Sequence, residues 1–156
     1  MLHFVSDLSI PKRLVRVSVT SAMETVEGFL FLADQSEHSA GAERVGHILN
    51  QPERFLPIRE ARDERVFLYN KNAIQSLTVL EPGSREWEVE ELEFSPAEKV
   101  EITLVSGAVL RGITYLDPRP EKSRVSDLVN RPEKFIPLVR EEGVTYVAKK
   151  FILRVG

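Results

Sequence analysis

Two lysines and two arginines stand at matching places in two similar stretches of this chain. Lys71 and Lys149 each lie in a short turn between two apolar runs, and Arg44 and Arg124 each open a segment of the same pattern. A cation fixed at a turn meets an anionic partner through the field it sets up, and Lys150 and Arg154 add to that charge in the second stretch. Arginine at the start of a helix is poorly placed for the helix dipole, which favours an anion there. Its recurrence therefore points to a specific partner. That partner is either internal, with Glu53 and Glu133 as nearby acids, or another protein, since arginine is enriched at interfaces. Arg44, Lys71, Arg124, Lys149, Lys150 and Arg154 are the candidate partner-binding residues. The bland role for each is an ordinary solvated charge.

Other chemistry is thinly represented. The three histidines, His3, His38 and His47, are scattered, and His47 is matched by Asp127 in the second stretch, so no imidazole recurs. A metal site or a general base needs ligands that converge. Asp34 and Asp117 close matching strands and would be acids paired between the two stretches. A strand-end aspartate more often starts a turn by accepting from the backbone two residues on. The absence of cysteine excludes disulfides, thiolate catalysis and sulfur-based zinc sites. No phosphate-binding glycine loop, Gly-x-Ser-x-Gly elbow or His-Glu-x-x-His helix is present. These observations lead to the expectation of a protein that is not an enzyme and carries no metal or cofactor.

The elements that must position the six cations are given by a repeat. The fifteen residues Arg44–Ile58 return 80 positions later as Arg124–Leu138, with seven pairs identical. Self-similarity of this kind marks two units of one design. Within it Val45, Ile48, Leu49 and Val125, Leu128, Val129 take one face of a short helix, expected over 44–50 and 124–130. Ser123 is a plausible N-cap, and Asn50 and Asn130 suit a left-handed C-cap before Pro52 and Pro132. Alternating residues in Val15–Thr20 and Val100–Leu104 have the period of a half-buried strand. Second strands follow at Gly28–Ala33 and Val109–Leu116, with Gly28 and Gly112 at matching places, where glycine permits a bend or a close backbone approach. Phe55–Ile58 and Phe135–Leu138 read as strands that a central proline restricts to an edge or a bulge. The pairs Val66–Tyr69 with Ile74–Leu77, and Val144–Val147 with Ile152–Val155, complete each unit. From Lys71 onward the offset falls to 78, which places a two-residue deletion in the preceding hairpin.

The expected organisation is a first repeat over 1–80, a linker or docking strand over 81–97 carrying Trp87 and Phe94, and a second repeat over 98–156. Units this small are marginal alone, so the halves are expected to pack on each other or on a second copy. The formal charge of −3 lacks the global positive field of a typical nucleic-acid binder. The longest uncharged apolar run, Gly28–Ala33, is far short of the roughly 20 residues that span a bilayer. No basic segment precedes an apolar core at the N-terminus, so the expected location is the cytoplasm, with no membrane partner.

Five short strands with a bent second strand, repeated in tandem, resemble the Sm-like fold. Gly112 and Asp117 carry the likeness in the second strand, and Val147 to Ile152 in the closing pair. The resemblance implies a mainly β protein of two tandem Sm-like or SH3-like small barrels, each of about five strands with one short inserted helix. In Sm proteins an asparagine after that aspartate and an Arg-Gly pair in the last turn form a uridine pocket. Here Asp117 is followed by Pro118-Arg119-Pro120, and the last turns hold Asn70-Lys71 and Ala148-Lys149. The repeated string also looks like that of uncharacterised bacterial proteins with such modules. The leading expectation is an interaction or regulatory module that binds protein partners or self-associates. The alternatives are an Sm-like RNA-binding protein, and a small-ligand binder or enzyme with a site between the repeats.

Overall fold

The alternating runs form long two-faced strands. The computed structural model describes residues 12–33, 44–80 and 94–156. In the first repeat these are β1 (Lys12–Thr20), β2 (Thr25–Ala33), α1 (Val45–Asn50), β3 (Phe55–Glu60), β4 (Val66–Asn70) and β5 (Ser76–Val79). The second repeat supplies β6 (Ala97–Leu104), β7 (Val109–Tyr115), α2 (Val125–Val129), β8 (Phe135–Arg140), β9 (Gly143–Ala148) and β10 (Ile152–Val155). The turns after β4 and β9 are single 3₁₀ turns, Lys71–Ala73 and Lys149–Phe151. Asp34, His3, His38 and most of the expected linker, Trp87 included, lie outside the described residues. Phe94 is 77% exposed.

The ten strands among the described residues belong to one antiparallel sheet, in the order β10-β6-β7-β8-β9-β5-β1-β2-β3-β4. Each repeat follows the same path, with its last strand returning beside its first. The protein is mainly β, and its strands run on from one repeat into the other rather than stopping at a boundary. The cause is β5: one edge pairs with β1, and the other pairs with β9 from Ser76↔Val147 to Val79↔Val144. Among the described residues strands β4 and β10 end the sheet, each paired on one side only.

Burial follows the alternation. Val15, Val17, Leu30, Leu32, Leu49, Ile58, Ile74 and Leu77 are sealed from solvent in the first repeat, and Ile102, Leu104, Leu138 and Val147 in the second. Each side chain of this size contributes roughly 1.5–3 kcal/mol on burial. Phe135, Tyr146 and Ala148 of the second repeat pack into the first repeat's core, so the halves share apolar surface as expected.

The glycine reading holds. A Cβ on Gly28 would sit 2.6 Å from the Arg59 carbonyl oxygen, and one on Gly112 would sit 2.5 Å from that of Val139, so the backbones of β3 and β8 approach the second strands closely at these glycines. Other expectations need correction. The proline strands β3 and β8 are not edges. Pro57 lies just beyond Ile58, where the β2 ladder has stopped, so its missing N–H leaves no gap while the strand pairs fully with β4. Asn130 caps α2 at φ −93°, not in the left-handed region, and Gln51 rather than Asn50 caps α1. The two asparagines act through their side chains instead. Arg124 is the N-cap of α2, while Ser123 donates to the Pro120 carbonyl.

Candidate functional site

The repeats meet at a joint built by the last turn of α1, strand β5, and strands β8 and β9. Asn50 donates from Nδ2 to the Gly46 carbonyl at 3.0 Å, a bond that fixes its amide on the helix. The Phe135 N–H then donates to Asn50 Oδ1 at 2.9 Å, and Nδ2 reaches the Phe135 carbonyl at 3.4 Å. One side chain thereby satisfies both backbone groups at the start of β8. Tyr146 lies over Gly46, where a Cβ would come 2.8 Å from ring atom Cε1. Below them the Thr78 and Thr145 hydroxyls share a 2.8 Å hydrogen bond across the β5–β9 pair. Gly143 closes the joint at φ +142°, where a Cβ would fall 2.0 Å from the Val79 carbonyl oxygen.

The same surfaces are open at the two ends of the sheet. Phe55, Val66 and Leu68 are 53%, 49% and 68% exposed, whereas Phe135 and Tyr146, which match Phe55 and Leu68, are 3% and 4% exposed. The register of β3 with β4 sets Leu68 opposite Pro57 and Val66 opposite Arg59. Directly opposed residues share a face, so Phe55, Leu68 and Val66 form one apolar strip beside an unpaired edge. At the other end of the sheet Asn130 makes the helix bond to Ser126 at 2.8 Å, but its side chain is exposed.

Of the six candidate cations, Lys71, Lys149 and Lys150 come together around one cleft, whereas Arg44, Arg124 and Arg154 lie elsewhere. Lys71 is 7% exposed, and its ammonium is turned inward, donating to the Ile48 carbonyl and at 3.3 Å to that of Gln51. Lys149 does the same in the second repeat, donating to the Arg131 carbonyl. These lysines tie the end of each helical segment to the last turn of its repeat. Burial is the main cause pulling both ammonium pKa values down, opposed by Glu53 beside Lys71 and by Glu133 beside Lys149. Arg44 caps α1, and Arg124 caps α2 with Asp127 accepting from its backbone N–H at 3.0 Å and from Nε at 3.3 Å. That Arg124 N–H bond is the leading reason the Asp127 carboxyl is held below the usual range. The internal partner is thus Asp127 rather than Glu133. Lys150 and Arg154 are exposed, with the Lys150 ammonium 5.4 Å from the Phe151 ring centre.

Asp117 acts as a turn residue. Its Oδ1 accepts from the Arg119 N–H at 2.9 Å, and its carboxylate pairs with the Arg119 guanidinium at 2.6 Å. That side-chain pair, then the backbone bond, holds its carboxyl well below the usual range.

A cleft of about 420 Å³ opens between the repeats, above the joint. Arg54 and Lys71 from the first repeat, and Arg131, Lys134, Lys149 and Lys150 from the second, line it against only Glu53 and Glu133. The volume lies in the range of small-molecule sites, and positive charge is locally in excess in a chain that is acidic overall. Among the described residues, no group of three or more His, Asp or Glu side chains could hold a metal ion. Nor is any helix among them long and apolar enough to cross a membrane.

Asn50, Gly46 and Tyr146 carry the joint and were not among the candidates from sequence. A signal existed for the first, since the asparagine is identical in both copies. No family model, curated protein or solved structure matches the chain.

Proposed function

We propose that this protein is a non-catalytic interaction module of the cytoplasm, two Sm-like small-barrel repeats that bind polypeptide or one another through open sheet edges. The observation that supports this most is the strip formed by Phe55, Leu68 and Val66 beside the unpaired edge of β4. Exposed apolar side chains next to free backbone donors and acceptors are the two ingredients of strand addition, where main-chain bonds supply affinity and alternate side chains supply specificity. The matching strip in the second repeat is already covered by polypeptide, namely the first repeat. Light scattering and a pull-down with the intact chain and with Leu68→Lys test the reading. A module loses its self-association or its captured polypeptide when Leu68 is charged. A chain that is strictly monomeric and captures nothing defeats it.

A second reading, binding of single-stranded RNA, is supported by the positive charge lining the inter-repeat cleft. The uridine-pocket residues of Sm proteins are missing from the turns that border it, so phosphates rather than bases would be the groups held.

A further inference from the structure

We infer that the polypeptide seated on β4 is the β10 edge of a second copy of this chain, joined head to tail so that the contact between copies repeats the joint within each copy. The inference rests on the reading of the open edges as binding surfaces and names their partner.

The correspondence is residue by residue. Inside the chain, β5 pairs with β9 through Ser76↔Val147, Leu77↔Tyr146 and Thr78↔Thr145. The repeat offset of 78 carries this register onto β10 of one copy and β4 of the next, as Arg154↔Tyr69, Val155↔Leu68 and Gly156↔Phe67. Among the described residues both of those strands have a free edge. The helix contact carries over too. Asn130 already makes the helix bond that holds Asn50 in place, and its exposed amide would meet the backbone of Phe55 as Asn50 meets that of Phe135.

At two matched places a size difference between facing residues is exchanged between the joints. Inside, Gly46 leaves room for the Tyr146 ring. At the outer joint Ser126 replaces the glycine and Leu68 replaces the tyrosine, a larger residue facing a smaller one. Inside, two threonines face each other. Outside, Gly156 faces Phe67.

Strand alternation extends the correspondence to the backbone. The Lys71 and Glu60 N–H groups bond within the β3–β4 ladder, to the Arg54 and Arg65 carbonyls, which leaves those of Val66, Leu68 and Asn70 facing outward. A contact of this kind joins unlike surfaces, so it closes into a ring or continues as a filament.

The test uses two substitutions at exposed positions, one on each face. Leu68→Lys blocks the β4 side, and Ser126→Trp blocks the α2–β10 side. Light scattering on the parent chain is expected to give a mass above the monomer, and each variant alone is expected to be a folded monomer by circular dichroism and scattering. An equimolar mixture of the two should form a dimer and nothing larger, because one chain keeps only β4 open and the other only β10. Leu68→Tyr alone should weaken assembly at least tenfold, and adding Ser126→Gly should restore it by recreating the inner pair. A parent chain that is monomeric at all concentrations, or a mixture that stays monomeric, overturns the inference. So does self-pairing of Leu68→Lys, which would mean a symmetric contact through β10. If the parent is a monomer yet captures another polypeptide in a Leu68-dependent way, the head-to-tail partner is wrong and the edge reading stands. If it does neither, both fall.

Discussion

The Asn50 amide brackets the backbone of Phe135, accepting from its N–H at 2.9 Å while donating toward its carbonyl at 3.4 Å. Eighty-five residues separate the two in sequence, so this one side chain fixes where the second repeat begins relative to the first. Asn50→Ala would strand a part-buried N–H, which costs about 1–3 kcal/mol. Asn130→Ala, at the matching exposed position, should cost about 0.5 kcal/mol or less in the monomer. Urea unfolding of both variants, at concentrations where the chain is monomeric, measures the difference. Equal losses would mean that the Phe135 contact contributes nothing.

The repeat made much of this fold legible. Apolar alternation placed β1, β6 and their partners, and the i, i+3, i+4 pattern placed both helices to within a residue or two. Gly28 and Gly112 were readable as close approaches because glycine recurred at matching places in the two second strands. What could not be read was how the units join. Strand periodicity assigns faces but says nothing about which edge meets which, and the β5–β9 pair is a choice of edge. The asparagines show the same limit, since their identity suggested a backbone cap whereas the Asn50 side chain reaches across to the other repeat and that of Asn130 bonds its own helix. Lys71 and Lys149 looked like surface charges because turns are usually exposed. A long flexible side chain can fold back onto a helix end, and only coordinates reveal it.

Gly46→Ala places a methyl 2.8 Å from Tyr146 Cε1, closer than real contacts allow. Neither the α1 backbone nor the ring can move freely, because Asn50 bonds the Gly46 carbonyl and Tyr146 sits in the shared core. Overpacking of this sort costs about 1–3 kcal/mol. Tyr146→Leu, the residue found at the matching position 68, should relieve part of it, so the double variant should be more stable than the sum of the singles by about 0.5–3 kcal/mol. A double-mutant cycle in urea measures this coupling, and strict additivity would place the strain elsewhere.

Paired carboxylates make stability depend on pH on the acid side, Asp117 and Asp127 among them. Asp117 and Asp127 are held below their ordinary range, Asp117 first by the Arg119 guanidinium and Asp127 first by the Arg124 N–H. A folded pKa below the unfolded one means that the stabilisation is fully present above the unfolded value of about 3.9 and is lost as pH falls through the folded value. Asp117→Asn and Asp127→Asn should therefore be less stable than the parent at pH 7, with the gap narrowing below about pH 4. Urea midpoints from pH 7 down to pH 2 follow it. A gap that stays constant with pH would show that geometry rather than charge does the stabilising.

The cleft above the joint separates the cations that can meet a ligand from those that cannot. Lys71 and Lys149 face backbone carbonyls, while Arg54, Lys134 and Lys150 are exposed around the opening, with Arg131 half-buried beside them and 3.9 Å from Asp117. If phosphates sit there, binding of a single-stranded RNA oligomer should fall with salt at a log–log slope of about −0.7 for each phosphate neutralised. Lys134→Ala and Lys150→Ala should each reduce that slope by about 0.7 and weaken binding alike for all sequences, because contacts to the backbone carry no base information. Fluorescence anisotropy at several salt concentrations reads both effects. Binding that is absent, or that does not change with salt, would remove the nucleic-acid reading of the cleft.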